Sequence, residues 1–315
     1  MTGRVLRAAV ALACVALASP ASAASLRVTT ARDDGEGSLR DAIERANATP
    51  GSTIAVALGP GAVIVVQSAL PPIRAAGTRL LGGGVTIREG EGCERPRHRR
   101  GCDGLVVEGP DVLVRDVRVA GFTFDGIGVV GDEARDVHLE GIEAIDNLDD
   151  GIGVSGHAGP VDATRCLLMG NGFRTKGKGL LVFAGSTATL SDSVVVANRD
   201  GVTVSDEAHA ELRDVLIVAS YDKGLGVSGA SVAATSVQVL ASGRDPGVAG
   251  RPPNGDGVRV GRGGEARLSR CRVAGSDDEG VVVLDTSRAT LERCTVESNR
   301  GGQASVAPGA RLERR

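Results

Sequence analysis

Gly201-Val-Thr-Val-Ser-Asp-Glu-Ala-His-Ala-Glu-Leu-Arg-Asp-Val-Leu-Ile-Val-Ala-Ser-Tyr-Asp-Lys223 is one period of a repeat, and Gly224-Leu-Gly-Val227 begins the next. Two runs inside it alternate apolar and polar residues, Val202-Thr-Val204 and Ala210-Glu-Leu212. Outward from this unit the opening Gly-apolar-x-apolar recurs at Gly104, Gly126, Gly151, Gly179, Gly257 and Gly280, in steps of 22 to 33 residues. The second run recurs as Ala188-Thr-Leu190, Ala266-Arg-Leu268 and Ala289-Thr-Leu291. Three residues later lies a column of Val117, Ile142, Cys166, Ser193, Val215, Val237, Cys271 and Cys294. Five further on lies another, Phe122, Asn147, Asn171, Asn198, Ser220, Ser242, Ser276 and Asn299.

Alternating runs of three to five residues are strands too short to stand alone. Three of them with three bends per repeat make one rung of a coil. Rungs stacked at the strand spacing of ~4.8 Å bond main chain to main chain, and equivalent residues lie above one another. The pattern predicts an all-β fold, a parallel β-helix with regular rungs from residue 104. The Val117 column should point inward, and the Asn/Ser column should pass hydrogen bonds between rungs. Gly and Asn/Ser are expected at the bends, since they tolerate left-handed backbone or bond their own main chain. Residues 53–90 follow the same grammar less cleanly and read as one or two irregular first rungs, so the β-helix is expected over 53–315.

An open solenoid end needs a cap. Ser38-Leu-Arg-Asp-Ala-Ile-Glu-Arg-Ala-Asn47 places Leu39, Ala42, Ile43 and Ala46 on one helical face, with Ser38 as N-cap and Asp41 three residues on. A capping helix over 38–47 is expected, within a cap segment 25–52. At the other end the charged Arg311, Glu313, Arg314 and Arg315 would guard the last edge.

Residues 1–24 read as a secretory signal: Arg4 and Arg7, an apolar Ala8–Ala18, Pro20, then the small-x-small Ala21-Ser-Ala23. A lipoprotein reading through Cys14 is weaker, because the apolar run continues past it. Export through the Sec pathway to the periplasm, cell surface or exterior follows. Loss of the leader, which carries two arginines and no acid, takes the net charge from −3 to −5. That balance argues against a nucleic-acid partner. No apolar run beyond the leader is long enough to span a membrane. In an oxidising compartment Cys93 and Cys102, nine residues apart, are expected to form a disulfide, leaving Cys166, Cys271 and Cys294 as core fillers.

Gly37-Ser-Leu-Arg-Asp-Ala-Ile43, Ala46-Asn-Ala-Thr-Pro-Gly51 and Leu70-Pro-Pro-Ile73 together resemble the N-terminal cap of bacterial exported β-helix repeat proteins, and the eight rungs after Gly104 resemble their repeats. The resemblance covers nearly the whole chain after the leader. It implies a right-handed parallel β-helix of the pectate-lyase-like superfamily. That superfamily holds lyases, hydrolases, epimerases and proteins with no known reaction, so fold and export are implied and activity is not.

Two rungs carry insertions at the same place, 172–178 and 243–256, which could wall a groove across the strands opening at 179, 201 and 224. The resemblance points to the same face. Candidate substrate contacts are Lys176 and Lys178 on the first insertion, Arg251 on the second, and Phe183 and Arg259 on the floor. Outward floor positions Gly128, Gly153, Leu181, Thr203, Gly226, Arg259 and Val282 are small and nearly uncharged, with no acid pair of the kind glycoside cleavage needs. Asp125, Asp150, Asp200, Asp256 and Glu279 precede rung-opening glycines and read first as turn residues. Asp146 with Asp149 and Asp150, and Asp256 with Asp278 and Glu279, are candidate oxygen ligands for calcium; no cofactor is required. The adjacent Asp149-Asp150 resembles the paired aspartates of β-helix polygalacturonases, but the rest of that motif set is missing. The arginine-rich loop between Cys93 and Cys102 reads as solvated surface.

These features predict an exported β-helix that binds polysaccharide or another cell-envelope component without established catalysis. The alternative is a carbohydrate-active enzyme, a lyase or glycoside hydrolase of acidic polysaccharide.

Overall fold

The computed structural model of the chain describes residues 23–59, 61–91, 93, 102–173, 175–243 and 255–315. The leader through residue 22 (with Cys14), the arginine-rich loop 94–101 and most of the second insertion with Arg251 lie outside the described residues.

The described residues form a parallel β-solenoid of about 11 turns, all β apart from one short helix near the N-terminus. One face is a nine-stranded sheet from Leu105–Val107 to Gly302–Val306. Two further faces are built from strand pairs such as His209–Arg213 and Leu216–Val218. Near the start Leu113–Ala120 runs through the corner and pairs on both of these faces. Registers hold column by column: Ala188 pairs with Ala210, Ala210 with Val232, and Val232 with Ala266. The Val117 column is buried as expected down to Cys271, with Cys294 half-buried in the last full rung. Ser25–Val28 pairs in register with Thr53–Val56, so the segment before the helix already belongs to the coil.

The cap forms as its pattern predicts. Helix α1 (Leu39–Asn47) buries Leu39, Ala42, Ile43 and Ala46. Ser38 Oγ accepts from Asp41 N at 3.1 Å, and Asp41 Oδ2 accepts from Gly37 N at 3.3 Å. Asn47 then ties the cap to the next turn, donating to Pro72 O at 2.8 Å and accepting from Arg74 N at 2.8 Å. Cys93 and Cys102 are disulfide-bonded, with Cα atoms 5.8 Å apart.

The Asn column is a ladder. Asn147 N and Nδ2 both donate to Asn171 Oδ1, at 3.1 and 2.9 Å. Asn171 does the same to Asn198, both at 2.9 Å. Asn198 Nδ2 closes onto Leu168 O at 2.7 Å.

The bends are not where sequence places them. At the two column corners the left-handed residues sit one position before the column and are mostly not glycine: Asp146, Ala197, Ala219, Ala241 and Ser298 at one, Asp116, Arg165, Asp192, Asp214, Ser236, Arg270 and Arg293 at the other, all with φ between +49° and +56°; others, such as His157, Ala184, Asp206 and Asp285, follow strands of the nine-stranded face. The rung-opening glycines have ordinary φ. They are glycine because the next rung leaves no room: a Cβ on Gly179 would lie 2.7 Å from Gly201 O and 2.8 Å from Asn198 Nδ2.

Opposite stability effects follow. Gly179→Ala should destabilise by about 1–3 kcal/mol through overpacking. Ala219→Gly should be neutral or gain up to about 1 kcal/mol, since it relieves a left-handed residue at the cost of a freer unfolded chain. Thermal unfolding of the two variants checks the sign of each.

Candidate functional site

Rung stacking builds a charged margin along the nine-stranded face. The residue before each opening glycine forms the column Asp103, Asp125, Asp150, Lys178, Asp200, Lys223, Asp256, Glu279. Its first members repeat the ladder device with carboxylates. Asp103 Oδ1 accepts from Asp125 N at 3.2 Å, Asp125 Oδ1 from Asp150 N at 3.0 Å, and Asp150 Oδ1 from Lys178 N at 2.7 Å. Further along, cations separate the acids. Lys223 Nζ lies 2.8 Å from Asp200 Oδ2 and 3.5 Å from Asp222 Oδ2. Arg259 Nε donates to the fully buried Asp256 at 2.6 Å.

The floor beside this margin is the expected outward column. Gly128 pairs with Gly153, Gly153 with Leu181, Leu181 with Thr203, Thr203 with Gly226, Gly226 with Arg259, and Arg259 with Val282. The glycines let margin side chains lean over the strands. A Cβ on Gly153 would meet Asp125 Oδ2 at 2.5 Å, and one on Gly226 would meet Lys223 Cε at 2.8 Å. Apart from Arg259 the floor is uncharged in its own residues, yet charge is delivered onto it from the side.

Asp125, Asp149 and Asp150 bring carboxylate oxygens within 4.8 Å of one another. Burial pushes Asp125 up to about 8, reinforced by the charges of Asp150 and Asp103. Burial pushes Asp150 up to about 7 against the pull of Lys178, whose Nζ is 3.9 Å away. Carboxyls so close titrate as a pair, so near neutral pH this pair holds a proton. A second triad, Asp256, Asp278 and Glu279, converges within the same distance. Asp256 is raised by burial, and Glu279 by its hydrogen bond with Asp278. A third grouping, Glu89 with Cys93 and Cys102, offers no thiolate, because the two sulfurs are bonded to each other.

Among the sequence candidates, Asp149 and Asp150 come together, as do Asp256, Asp278 and Glu279. Asp146 stands apart: its carboxylate packs on Gly170 at the corner, and Asp125 takes its place in the triad. Lys178 belongs to the margin column. Lys176 is exposed on the insertion and Phe183 is half-buried on the floor. Arg259 is held by Asp256, and Arg251 is among the residues not described. Asp125 and Lys223 were not singled out as site residues. The signal for both was a second glycine two residues inside the strand, Gly128, Gly153 and Gly226, where a strand gains nothing from glycine unless something approaches closely.

No family model matches the chain, and no curated protein matches it. Solved structures are similar in fold. A periplasmic alginate epimerase, AlgG, superposes with a TM-score of 0.60 at 12% identity, over 92% of this chain and 82% of that one. An alginate lyase from Paenibacillus sp. str. FPU-7 gives 0.52 at 15% identity, over 92% and 98%. Tailspike protein 2 of the Escherichia coli O157:H7 bacteriophage CAB120 gives 0.58 at 9% identity, over 90% and 38%. At such identities the likeness is one of fold, the parallel β-helix. Among the described residues no helix is long and apolar enough to cross a membrane.

The raised pair sets a pH dependence. The folded chain keeps protons on Asp125 and Asp150 that the unfolded chain, near the ordinary 3.8, has released. Stability should therefore fall as pH rises from about 4 to about 8. Asp125→Asn should flatten that fall, read as melting temperature against pH at fixed ionic strength. An unchanged slope in the variant contradicts the assignment.

Proposed function

We propose that the nine-stranded face binds an extended polysaccharide outside the cytoplasm and that Asp125 and Asp150 supply acid–base chemistry to it. The observation that carries this is the proton-holding carboxyl pair at the margin, of which Asp125 leans over the floor at Gly153. Near neutral pH one carboxyl has a proton to give to a glycosidic oxygen. Its ionised partner can take a proton or steady positive charge at the sugar. Lys178 beside Asp150 keeps the pair from both staying protonated. The Cys93–Cys102 disulfide supports an oxidising compartment, in keeping with a leader over residues 1–24. The solved proteins of like fold named as an alginate epimerase and an alginate lyase give the polysaccharide reading a precedent.

A second reading, binding without turnover, has its own support: each of these carboxylates also accepts a backbone N–H from the next rung, which is work enough to keep it. The two acidic triads offer the oxygen ligands that Ca²⁺ takes. Calcium would have to displace the proton held by Asp125 and Asp150.

Purified protein incubated with uronic-acid polymers and neutral glucans, with calcium or with chelator, is followed for reducing ends and for absorbance of unsaturated product. Turnover is expected, reduced by about 100-fold or more in Asp125→Asn and Asp150→Asn while glycan pull-down persists. Pull-down without turnover selects the second reading. Neither activity contradicts both.

A further inference from the structure

The chain has four Phe, one Tyr and no Trp, and two of those five aromatics meet at one corner of the coil. Phe173 and Tyr221 pack edge to face, with centroids 5.2 Å apart and planes at 71°. They border a cavity of about 440 Å³ together with Asp146, Leu148, Met169 and Ala197. Phe173 is 49% exposed, while Phe122 is wholly buried and Phe124, Phe183 and Tyr221 are half-buried. Leaving a phenyl ring in water forgoes roughly 1.5–3 kcal/mol of burial.

The first insertion puts the ring there and is anchored to do so. Gly172 N donates to Asn147 O at 2.9 Å on the preceding rung. Thr175 Oγ1 bonds Leu148 O and accepts from Gly177 N at 3.2 Å. The ring is thus displayed by a hydrogen-bonded loop. The corner also joins the site already described, because Leu148, which lines the cavity, directly precedes Asp149 of the carboxylate triad.

The chemistry of the lining is specific. Among the described residues, two rings, apolar side chains and Asn147 line the cavity, and the one charged group is the Asp146 carboxylate, an acceptor only. A sugar ring offers an apolar C–H face to an aromatic surface and hydroxyl donors to a carboxylate. A carboxylate on the same sugar would lie against the Asp146 carboxylate and be repelled by it.

We propose that this corner is a subsite for an uncharged pyranose unit, stacked on Phe173 beside Tyr221 and hydroxyl-bonded to Asp146, of a glycan that continues onto the nine-stranded face. The proposal rests on the polysaccharide reading above and adds that the glycan carries neutral sugar at this unit.

The molecule carries its own probe, since Tyr221 is the only tyrosine and there is no tryptophan. Tyrosine emission of the full chain is titrated with neutral hexasaccharides (β-1,4-gluco, β-1,3-gluco and β-1,4-manno) and with hexagalacturonate. The expected result is a saturable change with at least one neutral hexasaccharide and none with hexagalacturonate. Phe173→Ala should weaken that Kd tenfold or more with an unchanged thermal melt. Phe173→Trp, which keeps a ring, should retain the affinity and move the signal to indole emission. No saturable change with any neutral sugar, equal binding by Phe173→Ala, or an equal response to hexagalacturonate overturns the subsite. A protein that cleaves glycan without a Tyr221 response overturns this subsite alone. One that responds but turns nothing over overturns only the catalytic reading.

Discussion

At every corner of the coil a backbone N–H leaves its own strand and must find an acceptor one rung away, since an unpaired buried donor costs about 1–3 kcal/mol. The structure meets that demand with main-chain carbonyls of the next rung, as from Asp146 N to Met169 O and Ala197 N to Val218 O, and along the Asn column with side chains. Asn171 and Asn198 receive both the backbone and the side-chain amide of the residue before them in the ladder. Where the column changes to Ser220, Ser242 and Ser276, the hydroxyls are buried without a hydrogen-bond partner. The ladder resumes only when Asn299 accepts from Ser276 N. Rung spacing, glycine placement and the position of the open face all follow from this stacking.

The margin of the open face uses the same device with acids. Asp103, Asp125 and Asp150 each accept the next rung's N–H. Stacking three carboxylates at rung spacing beside a buried floor forces a proton onto the set, because neither burial nor mutual repulsion tolerates full ionisation. A structural ladder thereby becomes a proton reservoir at an accessible surface. Lys178 and Lys223 interrupt the column where a further acid would add to that repulsion, pairing with Asp150 and Asp200.

Much of the fold was legible because a solenoid writes its cross-section once per period. The inward column, the Asn ladder, the cap and the Cys93–Cys102 pair all depend on residue type at a fixed offset. The bends were legible only in part: Gly121, Gly141, Gly170, Gly275, Asp116, Asp146, Asp192 and Asp214 suit their left-handed positions, whereas Ala197, Ala219 and Arg270 carry no such preference and the rungs on either side impose it. The strand Ser25–Val28 was missed because four residues have no period to display. In the site, the floor was legible by alternation, but alternation describes only a strand's own side chains. Asp125 and Lys223 arrive from the margin, so the apparent lack of charge on the floor was an artefact of reading strands singly. Asp146 and Asp149 sit three residues apart in sequence, yet the left-handed turn at Asp146 sends one to the corner cavity and leaves the other in the triad.

Rung stacking compels two aspartates, Asp125 and Asp150, to hold a proton near neutrality. Carbon-detected NMR titration of the aspartate side-chain carboxyls, with Asp125→Asn to assign the pair, measures this directly. Two carboxyls are expected with apparent midpoints at about 7 and about 8, the partner's midpoint falling when Asp125 is replaced. Carboxyls for Asp125 and Asp150 that both titrate near the ordinary 3.8 would contradict it.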